Sequence, residues 1–179
     1  MCRGASSSVR QMFPCLIWGS GMRISLSVNE RAMESEVEPR ALLVDYLRED
    51  LTLTGAKVGC DTGQCGSCTV LMNGLAVKSC AMLAVQAEGA EITTIEGANP
   101  PTGLSDLQEA LWTQHGVQCG FCTPGMVLSL QQLLADEKVV TEERVRRELA
   151  GNLCRCTGYQ SVVRAVLSVA GQGGGPVDE

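Results

Sequence analysis

Apolar and polar residues alternate over residues 22–29 (MRISLSVN), the period of a strand with one buried face. Asn29-Glu30-Arg31 reads as a turn, and a more polar strand up to about Glu38 completes a hairpin. Pro39 precedes LLVDYLRED (42–50), where Leu42, Leu43, Tyr46 and Leu47 follow the helical spacing that lays one face on a sheet. TVLM (69–72) and LAVK (75–78) flank Asn73-Gly74, a pair that readily supplies the two positive φ angles of a type I′ turn, so a second hairpin is predicted. EITTIEG (91–97) is predicted as the last strand. Between Gly97 and Gly103 two prolines interrupt any regular element and suit a linker. Beyond it the period is helical. Leu104, Leu107, Ala110 and Leu111 form one stripe, and Met126, Leu130, Leu133 and Leu134 a second. Residues 141–150 open on Thr-Glu-Glu, a cap and acidic first turn, and residues 159–170 carry Val162, Val163, Val166 and Val169. The pattern predicts an α+β chain: a small sheet domain over residues 22–97, a four-helix domain over residues 104–170, and a flexible tail, GQGGGPVDE, over residues 171–179. Because organised sequence starts at Met22, residues 1–21 are expected to be a leader, either disordered or not translated.

Composition changes this picture mainly through cysteine. The 179 residues include 10 cysteines and 20 glycines, while aromatics make up only 3%. Two small cores must therefore be built from Leu, Val, Ala, Met and Ile. A formal charge of -6 argues against a nucleic-acid backbone as partner, because that needs a surplus of Lys and Arg. No apolar run approaches the roughly 18 residues of a membrane span, and none is expected. The leader is a poor export signal, since its apolar stretch is short and broken by Pro14. A reducing, cytoplasmic compartment follows as the expectation, with the thiols held by metal.

Eight of the cysteines fall into two sets. Cys60, Cys65 and Cys68 lie in GCDTGQCGSC, and Cys80 follows. This is the plant-type [2Fe-2S] spacing, C-x4-C-x2-C with a distant fourth cysteine. Two irons bridged by two sulfides need two thiolates each. Gly59, Gly63, Gly66 and small Ser67 let the backbone approach closely and aim N–H groups at sulfur. The second set is Cys119 and Cys122 in QCGFC with Cys154 and Cys156 in GNLCRCTG. Pro124-Gly125 opens a helix after the first pair and Gly151 closes one before the second, so a bundle can present four thiols at one end. A tetrahedral zinc site is the competitor for each set, and a disulfide for the second. Cys2 and Cys15, in the leader, are spare.

The motifs GCDTGQCGSCTV, KSC, TTIEG, QCGFCTPGM and GNLCRCTGYQ belong to a match that extends from about residue 22 to residue 170. Over that span the chain resembles the iron–sulfur small subunit of the molybdenum hydroxylase (xanthine oxidase) superfamily, and is most similar to the small chain of aerobic carbon monoxide dehydrogenases through KVGCDTGQCGSCTV and VKSCAMLAVQA. The resemblance implies a plant-type ferredoxin-like β-grasp domain followed by a four-helix [2Fe-2S]-binding domain. It implies that Cys60 and Cys65 hold one iron and Cys68 and Cys80 the other, and that Cys119, Cys122, Cys154 and Cys156 hold the second cluster. Gln118 and Cys156 map to contacts with the pterin of a molybdopterin cofactor on a large partner subunit. FAD is implied on a medium partner, in a dimer of heterotrimers. The implied role is electron transfer from the molybdopterin centre through both clusters to FAD, in carbon monoxide oxidation. The alternatives are a relay subunit of an aldehyde or N-heterocycle dehydrogenase, and a free-standing two-cluster ferredoxin.

The remaining candidates have plain expectations. His115 suits a helix C-cap or interface packing, and Asp61 is expected to fix the cluster loop through backbone hydrogen bonds. Met72, Met82 and Met126 suit core filling. Arg144, Arg146 and Arg147 read as a solvated face balanced by Glu142, Glu143 and Glu148, with a docking patch as the rival reading, while Arg155 has the chance to bias a cluster's potential.

Overall fold

The computed structural model describes residues 21–101, 103–137 and 139–171. The expected leader other than Gly21, with Cys2 and Cys15, and the tail beyond Gly171 lie outside them. Strands β1 (Met22–Val28) and β2 (Arg31–Val37) pair antiparallel from Met22↔Val37 to Val28↔Arg31. The turn between them places Asn29 and Glu30 at positive φ, 50° and 65°, which matches the right-handed twist of the strands. β3 (Thr69–Met72) and β4 (Leu75–Lys78) form the second hairpin, with Asn73 and Gly74 at φ 52° and 82°. β5 (Glu91–Thr93) lies between the hairpins, parallel to β1 and antiparallel to β3, giving the order β2-β1-β5-β3-β4. This mixed sheet with a helix packed on it is the predicted β-grasp arrangement.

The last strand is shorter than its sequence suggests. Asn29 at the end of β1 accepts from the Thr94 amide at 2.9 Å and donates to Thr94 Oγ1 at 3.0 Å. The side chain thus takes the positions a continuing ladder would use, and the chain turns into a short 3₁₀ segment at Ile95–Gly97. Helix α1 (Leu43–Asp45) runs directly into a π-helical turn at Tyr46–Asp50. Leu43, Val44, Tyr46 and Leu47 are buried on the sheet with Ile24, Leu26, Val70 and Ile92, and half-buried Met72 and Met82 pack on this core. From the π turn, Arg48 donates to the carbonyls of Ala56 at 2.8 Å and Thr54 at 3.2 Å, which holds the start of the first cysteine loop.

Four helices follow: α2 (Asp106–Thr113), α3 (Thr123–Asp136), α4 (Glu142–Leu149) and α5 (Gln160–Val169). Ser105 and Gln108 form a capping box at α2, and Thr141 Oγ1 accepts from the Arg144 amide at α4. The predicted stripes meet in one core of Leu107, Leu111, Met126, Leu130, Leu133, Val145, Leu149, Val162, Val163 and Val166. Leu104 departs from its stripe: it precedes α2 and is exposed. The two cores abut through α3, which packs on β3 and β4. Gln132 of α3 accepts the Ala76 amide of edge strand β4 at 2.8 Å, so a side chain covers a backbone donor that the sheet leaves unpaired.

Candidate functional site

The loop leading to β3 carries the first three cysteines, and the chain returns through the hairpin to a 3₁₀ turn (Ser79–Ala81) that carries Cys80. Asp61, Gly63 and Gly66 take positive φ, 57°, 72° and 76°, and these bends curl the loop around its own thiols. The Cys65 and Thr62 amides point at Cys60 Sγ, at 3.3 and 3.4 Å. The Cys68 carbonyl accepts from Ser79 Oγ at 2.6 Å, which ties Cys68 to the turn bearing Cys80. Cys68 and Cys80 are buried and hydrogen-bonded to each other, while Cys60 and Cys65 are partly open. The free thiols reflect these surroundings. The Thr62 hydroxyl and the amides of Cys65 and Thr62 bring Cys60 down to about 6. Burial, and then the hydrogen bond with Cys68, push Cys80 up to about 11. Asp61 shapes the loop by its backbone angle. Its exposed carboxylate makes no hydrogen bond among the described residues, contrary to the expectation.

The second set is assembled from two turns. Cys119 and Cys122 lie on either side of Gly120 (φ 80°), and Cys122 is the N-cap of α3, with Pro124 in its first turn. Cys154 and Cys156 follow α4 and precede a tight reversal through Gly158 and Tyr159, at φ 65° and 70°. Tyr159 Oη accepts the Cys154 amide at 2.7 Å and donates to the Asn152 carbonyl at 3.2 Å, so one hydroxyl clamps the backbone of the Cys-Arg-Cys turn. The thiols meet as couples, Cys122 with Cys154 and Cys119 with Cys156. Burial pushes Cys122 up to about 12. Cys154 is also opposed by burial, but hydrogen bonds from Thr157 and the Cys156 amide outweigh it and bring the thiol down. Cys119 and Cys156 are exposed, and Gln118 is exposed beside them. Arg155 points to solvent.

The two sites touch. The Leu153 amide, next to Cys154, donates to the Cys65 carbonyl at 2.8 Å. Buried Asn152 donates to the Gly66 carbonyl at 3.2 Å and accepts from Ser129 Oγ at 3.0 Å. Lys78 Nζ spans Thr69 Oγ1 and the Gly151 carbonyl, each at 3.0 Å. The fit leaves no room for side chains: a Cβ on Gly125 would overlap the Gly66 carbonyl, and one on Gly66 would overlap the Gly151 carbonyl. A Cβ on Gly59 would lie 2.9 Å from Cys65 Sγ and 3.4 Å from Phe121 of the second loop. Asn152, Tyr159, Thr157 and Lys78 escaped the sequence reading. Their only signal was a place beside cysteine motifs, because what they hold is brought near only by folding.

The donor set fits a [2Fe-2S] cluster at each site. Among the described residues no group of three or more His, Cys, Asp or Glu is placed to hold a single metal ion. The paired thiols, with backbone N–H groups on sulfur and a glycine at the closest approach, instead suit two irons with two thiolates each. The other candidates are structural. His115 takes φ 57° just past the end of α2, and its amide donates to the Trp112 carbonyl. Arg144, Arg146 and Arg147 pair with Glu137 and Glu148, Glu142, and Glu143, and form the expected solvated face. No helix among the described residues is long and apolar enough to cross a membrane.

Comparison with known proteins agrees with this chemistry. Residues 26–94 match the 2Fe-2S iron-sulfur cluster binding domain family, and residues 94–167 match the [2Fe-2S] binding domain family. Caffeine dehydrogenase subunit gamma of Pseudomonas sp. (strain CBB1) is 47% identical over 150 residues, covering 82% of this chain and 90% of that protein. The nicotine 6-hydroxylase small subunit of Paenarthrobacter nicotinovorans is 48% identical over 151 residues, 84% of this chain and 91% of that one. Among solved structures, a chain of quinoline 2-oxidoreductase from Pseudomonas putida 86 superposes with a TM-score of 0.82 at 45% identity, over 85% of this chain and 94% of that chain. With both domains matched in order and two sites of four thiols each, the chain belongs to the iron–sulfur electron-transfer small subunits of the molybdenum hydroxylase family.

Proposed function

We propose that this chain is the electron relay of a molybdenum hydroxylase complex that oxidises an N-heterocycle or an aldehyde. Residues 22–97 and 104–170 are its two cluster-bearing units. When bound, each [2Fe-2S] cluster accepts and releases one electron. In this reading Cys60 with Cys65 and Cys68 with Cys80 hold the irons of the first, and Cys119 with Cys156 and Cys122 with Cys154 those of the second. The observation that carries it is the bond from the Leu153 amide to the Cys65 carbonyl, which joins the backbones of two thiol-bearing turns by one 2.8 Å hydrogen bond. Residues of this chain thereby hold the two sites at a fixed separation, with the buried thiols shielded and the Gln118–Cys119–Cys156 face open. That face is the side for a large subunit with its molybdopterin, which Gln118 and Cys156 would contact. The β-grasp side then faces a medium subunit with FAD, in a cytoplasmic dimer of heterotrimers.

Exposed Leu104, Trp112, Phe121 and Leu153 favour fixed partners over a free ferredoxin, because such side chains cluster at interfaces. Caffeine and nicotine in the names of similar proteins favour an N-heterocycle. The motif KVGCDTGQCGSCTV keeps carbon monoxide as the rival substrate. The test is to isolate the native complex, measure iron, molybdenum, copper and flavin, and assay purines, pyridines, aldehydes and carbon monoxide with a dye acceptor. Heterocycle or aldehyde turnover without copper is expected. Carbon monoxide turnover with stoichiometric copper replaces the substrate, and a chain purified with two clusters and no partner replaces the relay by a free ferredoxin.

A further inference from the structure

In the helical-domain site one sulfur has a dedicated hydroxyl. Cys154 Sγ accepts from Thr157 Oγ1 at 3.2 Å and from the Thr157 amide at 3.4 Å. Among the described residues no other side-chain hydroxyl donates to a thiol of that site. The direction of the bond follows from the ligand's state: as an iron ligand Cys154 is a thiolate with no proton to give, so the hydroxyl donates. The Tyr159 amide donates to Thr157 Oγ1 at 3.2 Å and so helps to orient that hydroxyl. The geometry needs an unusual backbone. Gly158 and Tyr159 are both at positive φ, 65° and 70°, and that conformation is strained for an aromatic residue. The Tyr159 hydroxyl secures the turn through Cys154 and Asn152. The strained reversal thus brings the Tyr159 amide onto the Thr157 hydroxyl and aims that hydroxyl at sulfur.

A donor on a cluster ligand stabilises the more electron-rich state, because the hydrogen bond strengthens as negative charge on sulfur grows. We propose that Thr157 is a positioning residue that raises the reduction potential of the helical-domain cluster through Cys154, and so sets how an electron divides between the two clusters. This rests on the reading that Cys154 is an iron ligand. The effect is local: the first site lies in another loop and receives none of these bonds. It therefore acts as a reference in the same molecule.

The test is a redox titration of the iron-loaded complex, following both cluster signals by EPR in the unaltered protein and in Thr157→Val, Thr157→Ala and Thr157→Ser. Val and Ala are expected to shift the helical-domain cluster to lower potential, reducing its share of a single electron roughly three- to tenfold, the net worth of one hydrogen bond. The β-grasp signal stays where it was, and Ser, which keeps the hydroxyl, titrates as the unaltered protein does. Unchanged potentials in Val and Ala, or an equal shift of both clusters, overturn the proposal. Should neither variant load iron, proton ENDOR of the unaltered protein, with uniform 15N labelling to mark the amide protons, decides: an exchangeable proton coupled to the helical-domain cluster that is not bonded to nitrogen supports it, and amide protons alone end it. Cys154→Ala tests the underlying reading separately, because alanine has no donor atom. A variant that keeps its helical-domain signal removes Cys154 as a ligand, whatever Thr157 does.

Discussion

In the β-grasp domain three of four thiols lie between Cys60 and Cys68 on one loop, and the fourth comes back on the adjoining hairpin. In the helical domain the thiols come from two turns held apart by α3 and α4. The first site is closed by local chemistry: positive-φ residues, amides turned on Cys60, and the Ser79 bond to the Cys68 carbonyl. The second exists only when the bundle packs, and its two turns are locked by Asn152 and Tyr159. The difference extends to exposure. The first site buries Cys68 and Cys80, whereas the second leaves Cys119 and Cys156 open on one face. In the proposed relay the helical site would receive electrons from another polypeptide, and such an open side suits it. A site built into a loop can instead be enclosed by its own chain.

Ligand substitution breaks the comparison most directly. Cys122→Ser should abolish the helical-domain EPR signal and halve the iron, leaving the β-grasp signal intact, because the first loop makes no use of that thiol. Cys68→Ser should do the reverse. Loss of both signals in either variant means that the sites are one folding unit, and the local-versus-assembled distinction fails. Loss of the helical cluster should also unfold more structure, since Cys122 belongs to the buried core between α2, α3 and α5.

Next in size is the junction. Gly125→Ala drives a methyl group into the Gly66 carbonyl and should cost about 1–3 kcal/mol through overpacking, read as a lower midpoint in thermal unfolding. Asn152→Leu keeps the volume but takes the acceptor from the buried Ser129 hydroxyl and one donor from the Gly66 carbonyl, which Thr69 still satisfies, at a cost of about 1–3 kcal/mol. Both variants should weaken the magnetic interaction between the reduced clusters. Unchanged unfolding in Gly125→Ala would show that the domains dock elsewhere.

Much of this was legible in the primary structure, for a physical reason. Alternation and helical spacing report burial, so both hairpins and all four helices were visible, and Asn73-Gly74 located a turn to the residue. Cysteine spacing reports a loop that folds on itself, so the first site could be read within a few residues. The second site could be grouped but not built. Nothing adjacent to Asn152 says that it will meet Gly66, 86 residues away. The early end of β5 has the same origin, because Asn29 caps it from 65 residues away. Pattern reads what neighbours in sequence do, and these contacts are made by neighbours in space.

The smallest prediction uses the fields around the two sites. Asp45 on α1 has its carboxyl pushed up from the usual 3.8 by partial burial and then by Asp61 and Glu49, with Arg48 pulling the other way. Asp61 lies inside the first cysteine loop, so this repulsion belongs to the β-grasp site, whereas the helical site's nearest charge in sequence is Arg155. A carboxyl whose folded value is raised loses stability as pH climbs from below 3.8 through the folded value, and at neutral pH the penalty is fully present. Asp45→Asn should therefore stabilise the protein at pH 7. The carboxylate is exposed and screened, so the gain is only a few tenths of a kcal/mol, about the size of a surface pair. It should shrink as pH falls toward the ordinary carboxyl range and as salt is added. Urea unfolding at pH 7 and at about pH 3.5, below the ordinary carboxyl value, each at low and high salt, measures it. A gain independent of both would mean that Asp45 acts through packing or helix propensity. The same variant should move the β-grasp cluster to slightly higher potential and leave the helical one unchanged, because removing a negative charge favours the electron only where that charge is near. Equal movement of the two clusters would show that they share one electrostatic environment, despite the separate loops that build them.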